Sequence, residues 1–287
     1  MPVSQQATRV KRGFARIVKG MPATDGAGVE LSRVIGQPGL ESLDPFLLLD
    51  AFRSDRAEDY IAGFPPHPHR GFETVTYLLA GRMRHKDNAG HEGVIQPGGV
   101  QWMTAGRGIV HSEMPEQENG LLAGFQLWVN LPAEHKMDAP AYQEYAAEQI
   151  PVEHRQHSEI RVIAGSTSQE TSGPVSQPLT EALYLDVMLA ADSHFEEPLP
   201  QGHNAFLYLI EGQLGIPGEA SAKLQRDQLA VLTQGEGVSL HSADQPARFL
   251  LIAGKPLNEP VARGGPFVMN TKQQIEQAFA DYKAGNF

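Results

Sequence analysis

Hydrophobic residues along this chain fall into short runs rich in β-branched and aromatic side chains, each bounded by Gly, Pro, Asn or Asp. That pattern predicts strands at Thr74–Leu79, Val100–Thr104, Phe125–Leu131, Ile160–Ala164, Leu183–Leu189, Ala205–Ile210, Leu229–Thr233 and Phe249–Ala253. One helix is predicted, close to the C-terminus. Thr271 can cap it, with Gln274 three residues on, and Ile275, Ala278, Phe279 and Tyr282 form one apolar face. Gly285 ends it.

The strand pattern repeats. Tyr77-Leu78-Leu79-Ala80-Gly81 returns as Tyr208-Leu209-Ile210-Glu211-Gly212, and Thr104-Ala105-Gly106-Arg107-Gly108 as Thr233-Gln234-Gly235-Glu236-Gly237. Phe125 through Pro132 resembles Phe249 through Pro256. Three matches in the same order at similar offsets predict a duplicated β domain. Between the halves, Pro132–Pro151 is polar and reads as a connector. Gly165–Pro178 is rich in Ser, Thr, Gly and Pro, and reads as a mobile surface insertion.

Composition narrows this picture. The 287 residues are enough for two cores, and 29 Gly with 21 Pro favour turns and short strands over long helices. A net charge of −11 argues against direct contact with nucleic acid or an anionic membrane, which reward clustered Lys and Arg. Arg9, Lys11, Arg12, Arg16 and Lys19 are a local exception; interleaved with Val10, Phe14, Ile17 and Val18, they read as a solvated first strand. With no cysteine, any metal must sit on His, Asp or Glu. No apolar run approaches membrane-span length and the N-terminus has no signal-peptide core, so a cytoplasmic protein is expected; a monomer is expected separately.

Two pairs carry the candidate chemistry. His67 and His69 flank Pro68; in an extended chain, residues i and i+2 share a face with Cα atoms roughly 6.6 Å apart. Two imidazoles so placed can converge on one ion at about 2.1 Å per bond. Pro68 has no N–H and stiffens the pair. His111-Ser112-Glu113 repeats the spacing with a carboxylate second. Three neutral imidazoles and one carboxylate would leave two positions open on an octahedral ion, as in non-haem iron chemistry. Glu73 is the rival carboxylate, on the same face as His69 but about 13 Å further along a straight strand. His85, His91, His135, His154, His157 and His194 read as surface or hydrogen-bonded side chains, and Phe72, Trp102 and Met103 as core.

The stretches His67-Pro-His-Arg-Gly-Phe-Glu-Thr-Val-Thr-Tyr-Leu-Leu79 and Val100-Gln-Trp-Met-Thr-Ala-Gly-Arg-Gly-Ile-Val-His-Ser-Glu-Met-Pro115 closely resemble the pirin family of the cupin superfamily. Gly265-Pro-Phe-Val-Met-Asn270 is similar to that family's tail motif. The resemblance implies an all-β fold of two antiparallel jelly-roll-like cupin barrels in tandem with a short C-terminal helix. The expected division is 1–135 for a metal-binding barrel and 136–287 for a metal-free barrel that carries the helix. The resemblance also implies one divalent transition metal on His67, His69, His111 and Glu113, Fe(II) by preference, with Mn, Ni, Co, Cu or Zn as alternatives.

It implies two activities as well. One is quercetin 2,3-dioxygenase chemistry on a flavonol-like aromatic substrate and O2, releasing carbon monoxide and a depside; in that reading Glu113 or a nearby base accepts the substrate's proton. The other is regulation through a protein partner, either a transcription-factor complex or a metabolic enzyme. A third reading, a small-molecule binder with structural zinc, is weakened by the missing cysteines. Carried through the repeat, the ligand positions fall on Pro198, Pro200, Leu240 and Ser242. The second barrel is therefore expected to lack the metal.

Overall fold

The computed structural model describes residues 10–287, with the backbone alone at Ala220. The strands pair antiparallel, and the chain divides into two compact units. One, here the N-terminal unit, holds residues 20–150, 174–181 and 256–287. The other, the C-terminal unit, holds the segment up to Lys19 with residues 151–173 and 182–255.

Each unit contains one seven-stranded and one four-stranded sheet. In the N-terminal unit the larger sheet runs Ala141–Tyr145, Val100–Thr104, Phe72–Ala80, Leu122–Asn130, Phe46–Ser54, Val29–Ile35, Met21–Asp25. The smaller runs Phe64–His69, Ile109–Pro115, Met83–Asp87, Glu92–Ile95. The C-terminal unit follows the same order: Phe14–Lys19, Gln228–Leu232, Asn204–Glu211, Ala247–Gly254, Leu183–Leu189, Ser158–Ala164, Val152–Arg155, then His194–Pro198, Gly237–Ser242, Gln213–Ile216, Glu219–Gln225. The duplication read from the sequence is thus a duplication of topology, and the fold is a pair of cupin domains. All eight predicted strands form, with ends shifted by at most a few residues. The helix is Lys272–Lys283, capped reciprocally by Thr271 and Gln274.

The units do not follow a cut at residue 135. The edge strand beside Gln228–Leu232 is Phe14–Lys19, from the start of the chain. The matching edge in the N-terminal unit is Ala141–Tyr145, from the supposed connector, paired with Val100–Thr104. The terminal helix packs with the hairpin Ala262–Gly264 and Phe267–Met269, so it belongs to the N-terminal unit, not to the C-terminal barrel as expected.

Two further expectations are corrected. Arg12 is not solvated: its guanidinium is buried and donates to the carbonyls of Gly235, His203 and Pro200, satisfying backbone acceptors that strand pairing leaves open. Arg9 lies outside the described residues. Nor is 165–178 a loose insertion. Thr167 is buried against Glu153, and Val175 and Gln177 are buried in the N-terminal unit.

The interiors differ. In the C-terminal unit one continuous apolar cluster includes Leu185, Phe195, Leu207, Leu240 and Phe249. The N-terminal unit has separate clusters, one around Val29, Phe52, Leu78 and Met83, another around Phe72 and Val268. They leave a cavity of about 820 Å³. Among the described residues, no helix is long and apolar enough to cross a membrane.

Candidate metal centre

The strand Phe64–His69 lies at the edge of the smaller sheet, where Pro65, Pro66 and Pro68 are tolerated because an edge leaves N–H positions unused. It pairs with Ile109–Pro115 so that His67 faces His111 and His69 faces Ile109. Alternation then sends Ile109, His111 and Glu113 inward and leaves Ser112 outside, hydrogen-bonded to the Lys86 carbonyl. The rings of His67, His69 and His111 have centroids 4.5–5.1 Å apart, and one donor nitrogen from each lies within 4.8 Å of the others.

The hydrogen bonds on the far side of the rings decide what these nitrogens present. His67 Nδ1 lies 2.8 Å from the Pro65 carbonyl and His69 Nδ1 lies 3.4 Å from that of Pro266. A ring nitrogen facing a carbonyl must carry the proton, which leaves both Nε2 atoms as bare lone pairs. Those two Nε2 atoms are 3.0 Å apart, with no proton between them in that tautomer. His111 is 1% exposed and neither of its ring nitrogens has a hydrogen-bond partner.

Burial, reinforced by the neighbouring His67, pushes His69 down to about 3; burial likewise holds His111 well below the usual imidazole range. His69 and His111 are therefore neutral donors at physiological pH. Three imidazole nitrogens brought this close repel one another unless a cation is shared between them, so the residues present fit a divalent transition ion.

Glu113 sits slightly apart from this triad. Its Oε1 lies 2.8 Å from the Thr76 hydroxyl and its Oε2 accepts from Gln126 Nε2 at 3.1 Å. The Thr76 hydroxyl is also 2.6 Å from Gln126 Oε1, so its single proton has two competing acceptors. These bonds join the two sheets and fix the carboxylate at the cavity wall. Glu73, the rival, is not in the cluster. Its carboxylate accepts from Thr104 Oγ1 at 2.7 Å and from Gln177, and burial pushes it above the ordinary carboxylate range.

The cavity is lined by the rings of Phe52, Phe64 and Trp128 and by the charged side chains of Arg33, Asp50 and Arg263. Arg33 grips Asp50 through Nε (2.9 Å) and Nη2 (2.7 Å), and the Arg263 guanidinium lies 4.8 Å over the Trp128 ring. None of these residues was singled out from sequence. Phe72, Trp102 and Met103 are core, as expected.

The tail motif has a structural task here. Besides Pro266, it brings Val268, whose carbonyl accepts from buried Lys136 Nζ (3.1 Å), which also donates to Gly71 O and Asn130 Oδ1. Gly71 has φ +86°, and a Cβ there would lie 2.0 Å from Val268 O. Arg70 completes the anchor, bonding Asp281 of the helix at 2.7 Å. In the C-terminal unit the observed register sets Phe195 against Leu240 and Glu197 against Val238. Aligned on Leu240, the positions equivalent to His67 and His69 become Phe195 and Glu197, not Pro198 and Pro200, because the intervening loops differ in length.

The sequence profile of pirin matches residues 28–129, and that of the pirin C-terminal cupin domain matches 184–287. A pirin-like protein of Caulobacter vibrioides is 52% identical over 96% of this chain and 99% of its own. The chain belongs to the pirin family. Among solved pirin-like folds, a quercetin 2,3-dioxygenase from Acinetobacter baumannii superposes with TM-score 0.87 at 34% identity, covering 97% of this chain and 99% of that one. A pirin from Escherichia coli, solved with nickel(II), shares the fold at TM-score 0.65 and 19% identity, covering 84% and 98%.

Proposed function

We propose that this pirin is a metal-dependent dioxygenase of the quercetin 2,3-dioxygenase type, with His67, His69, His111 and Glu113 as ligands. The observation that carries the reading is the convergence of three imidazoles, their donor nitrogens within 4.8 Å of one another, beside a cavity of about 820 Å³. That volume lies in the range of sites that enclose a drug-sized aromatic molecule. A redox-capable ion such as Fe(II), when bound, supplies the site for dioxygen activation and for the substrate's adjacent oxygens. The remaining work falls to the chain.

Trp128, Phe52 and Phe64 offer apolar surface to a planar ring system and exclude water from it. Glu113, presented by Thr76 and Gln126, faces the same cavity and accepts the proton that a flavonol hydroxyl loses on binding. Those two partners hold the carboxylate so that the proton arrives at a fixed place. The A. baumannii relative named for this reaction supports the choice of substrate class.

The test is direct. Protein loaded anaerobically with Fe(II), then given quercetin and oxygen, should bleach the flavonol absorbance with stoichiometric oxygen uptake. No turnover with Fe, Mn, Co, Ni or Cu would remove the dioxygenase assignment for that substrate. For the ligands themselves, His69→Ala should abolish the stoichiometric cavity ion; an unchanged ion content would refute the set.

A further inference from the structure

A second group of metal-binding side chains lies in the N-terminal unit, separate from the three-histidine cluster. His85 points inward from the strand Met83–Asp87, His91 sits in the turn that follows, and Glu144 comes from the edge strand Ala141–Tyr145. One donor atom from each lies within 4.8 Å of the other two. His85 Nε2 is 2.8 Å and His91 Nε2 is 3.6 Å from Glu144 Oε2. The sequence gives no hint of this group, because 53 residues separate His91 from Glu144.

Two observations mark the place as built for a ligand. His85 is 1% exposed, yet neither ring nitrogen makes a hydrogen bond, and Nε2, the one aimed at Glu144 Oε2, meets that carboxylate without hydrogen-bond geometry. Beside it the backbone has been kept bare: a Cβ on Gly93 would lie 2.5 Å from His85 Nε2 and 2.9 Å from Glu144 Oε1. His91 is held by stacking on Tyr142, ring centroids 4.2 Å apart and planes within 25°, although its side chain is 42% exposed. Gln101 Nε2 reaches Glu144 Oε2 at 3.4 Å from the other side and steadies the carboxylate.

We propose that His85, His91 and Glu144 form a second, solvent-reachable site for a divalent transition metal. Two imidazoles and one carboxylate are the donor set that zinc, nickel and copper accept, and three protein ligands leave room for water. Exposure of His91 makes this the exchangeable site of the two. His85 is the cross-strand neighbour of Glu113, so an ion here places positive charge one strand behind the cavity carboxylate. The proposal does not depend on the dioxygenase reading.

Calorimetric titration of chelator-stripped protein with Zn(II) tests it. Wild type should bind two ions per chain. His91→Ala, which alters an exposed side chain, and the isosteric Glu144→Gln should each leave one tight ion and weaken the other at least tenfold. His69→Ala should lose the cavity ion and retain the second, which separates a failure of this site from a failure of the triad. A lone ion in wild type that only His69→Ala removes, or a second ion insensitive to both His91→Ala and Glu144→Gln, would overturn the proposal.

Discussion

At the residue scale the clustering of His67, His69 and His111 was legible because chemistry and period coincide: two side chains at i and i+2 on a strand must share a face. What presents them was not. Thr76 is an ordinary strand residue in sequence, and only the approach of the two sheets makes it the partner of Glu113. Thr76→Val keeps shape and removes the hydroxyl. Turnover of the Fe(II)-loaded enzyme should fall about 10–100-fold with the ion retained, the usual effect of losing a ligand's outer partner; steady-state kinetics and metal analysis read both. Gly71 is a similar case. Its φ of +86° and the carbonyl of Val268 exclude a side chain, so Gly71→Ala should lower stability by about 3 kcal/mol in denaturant unfolding.

At the element scale, strands bounded by strong breakers were placed well, whereas edge strands were not. Ala141–Tyr145 is polar and half-exposed, and it is a strand because Val100–Thr104 offers an unpaired edge. Phe14–Lys19 was recognised as a strand, but Arg12 before it was read as solvated since its carbonyl partners lie about two hundred residues away. Lys136, in the stretch taken for a connector, staples the loop at Gly71 to the strand Phe267–Met269, and burial lowers it to about 8. The unfolded chain then holds a proton between pH 8 and about 10.5 that the folded chain has released. Stability is thus reduced below pH 8 and recovers as pH rises through this window, by up to about 3 kcal/mol. Urea unfolding of wild type against Lys136→Met should show that slope in wild type and not in the variant.

At the scale of the whole molecule, the repeat correctly announced two copies of one topology, but a repeat cannot say where each copy obtains its edges and caps. Local sequence similarity ends before the strands that differ between copies, which is why a cut at residue 135 looked natural. A fragment of residues 1–135 lacks the strand Ala141–Tyr145, Lys136 and the segment with Pro266 and Val268, all parts of the N-terminal unit. It should show no cooperative thermal transition by circular dichroism and bind no stoichiometric ion. The complementary fragment 136–287 lacks Phe14–Lys19 and should melt broadly as well.

This sharing of chain ends also imposes a timetable. A ribosome finishes His111 some 155 residues before Pro266, whose carbonyl sets the tautomer of His69. At ~5–20 residues per second that interval is about eight to thirty seconds. Until it closes, the nascent barrel displays its histidines without the group that orients them. An ion offered before that point would meet the three rings with the His69 tautomer still unset.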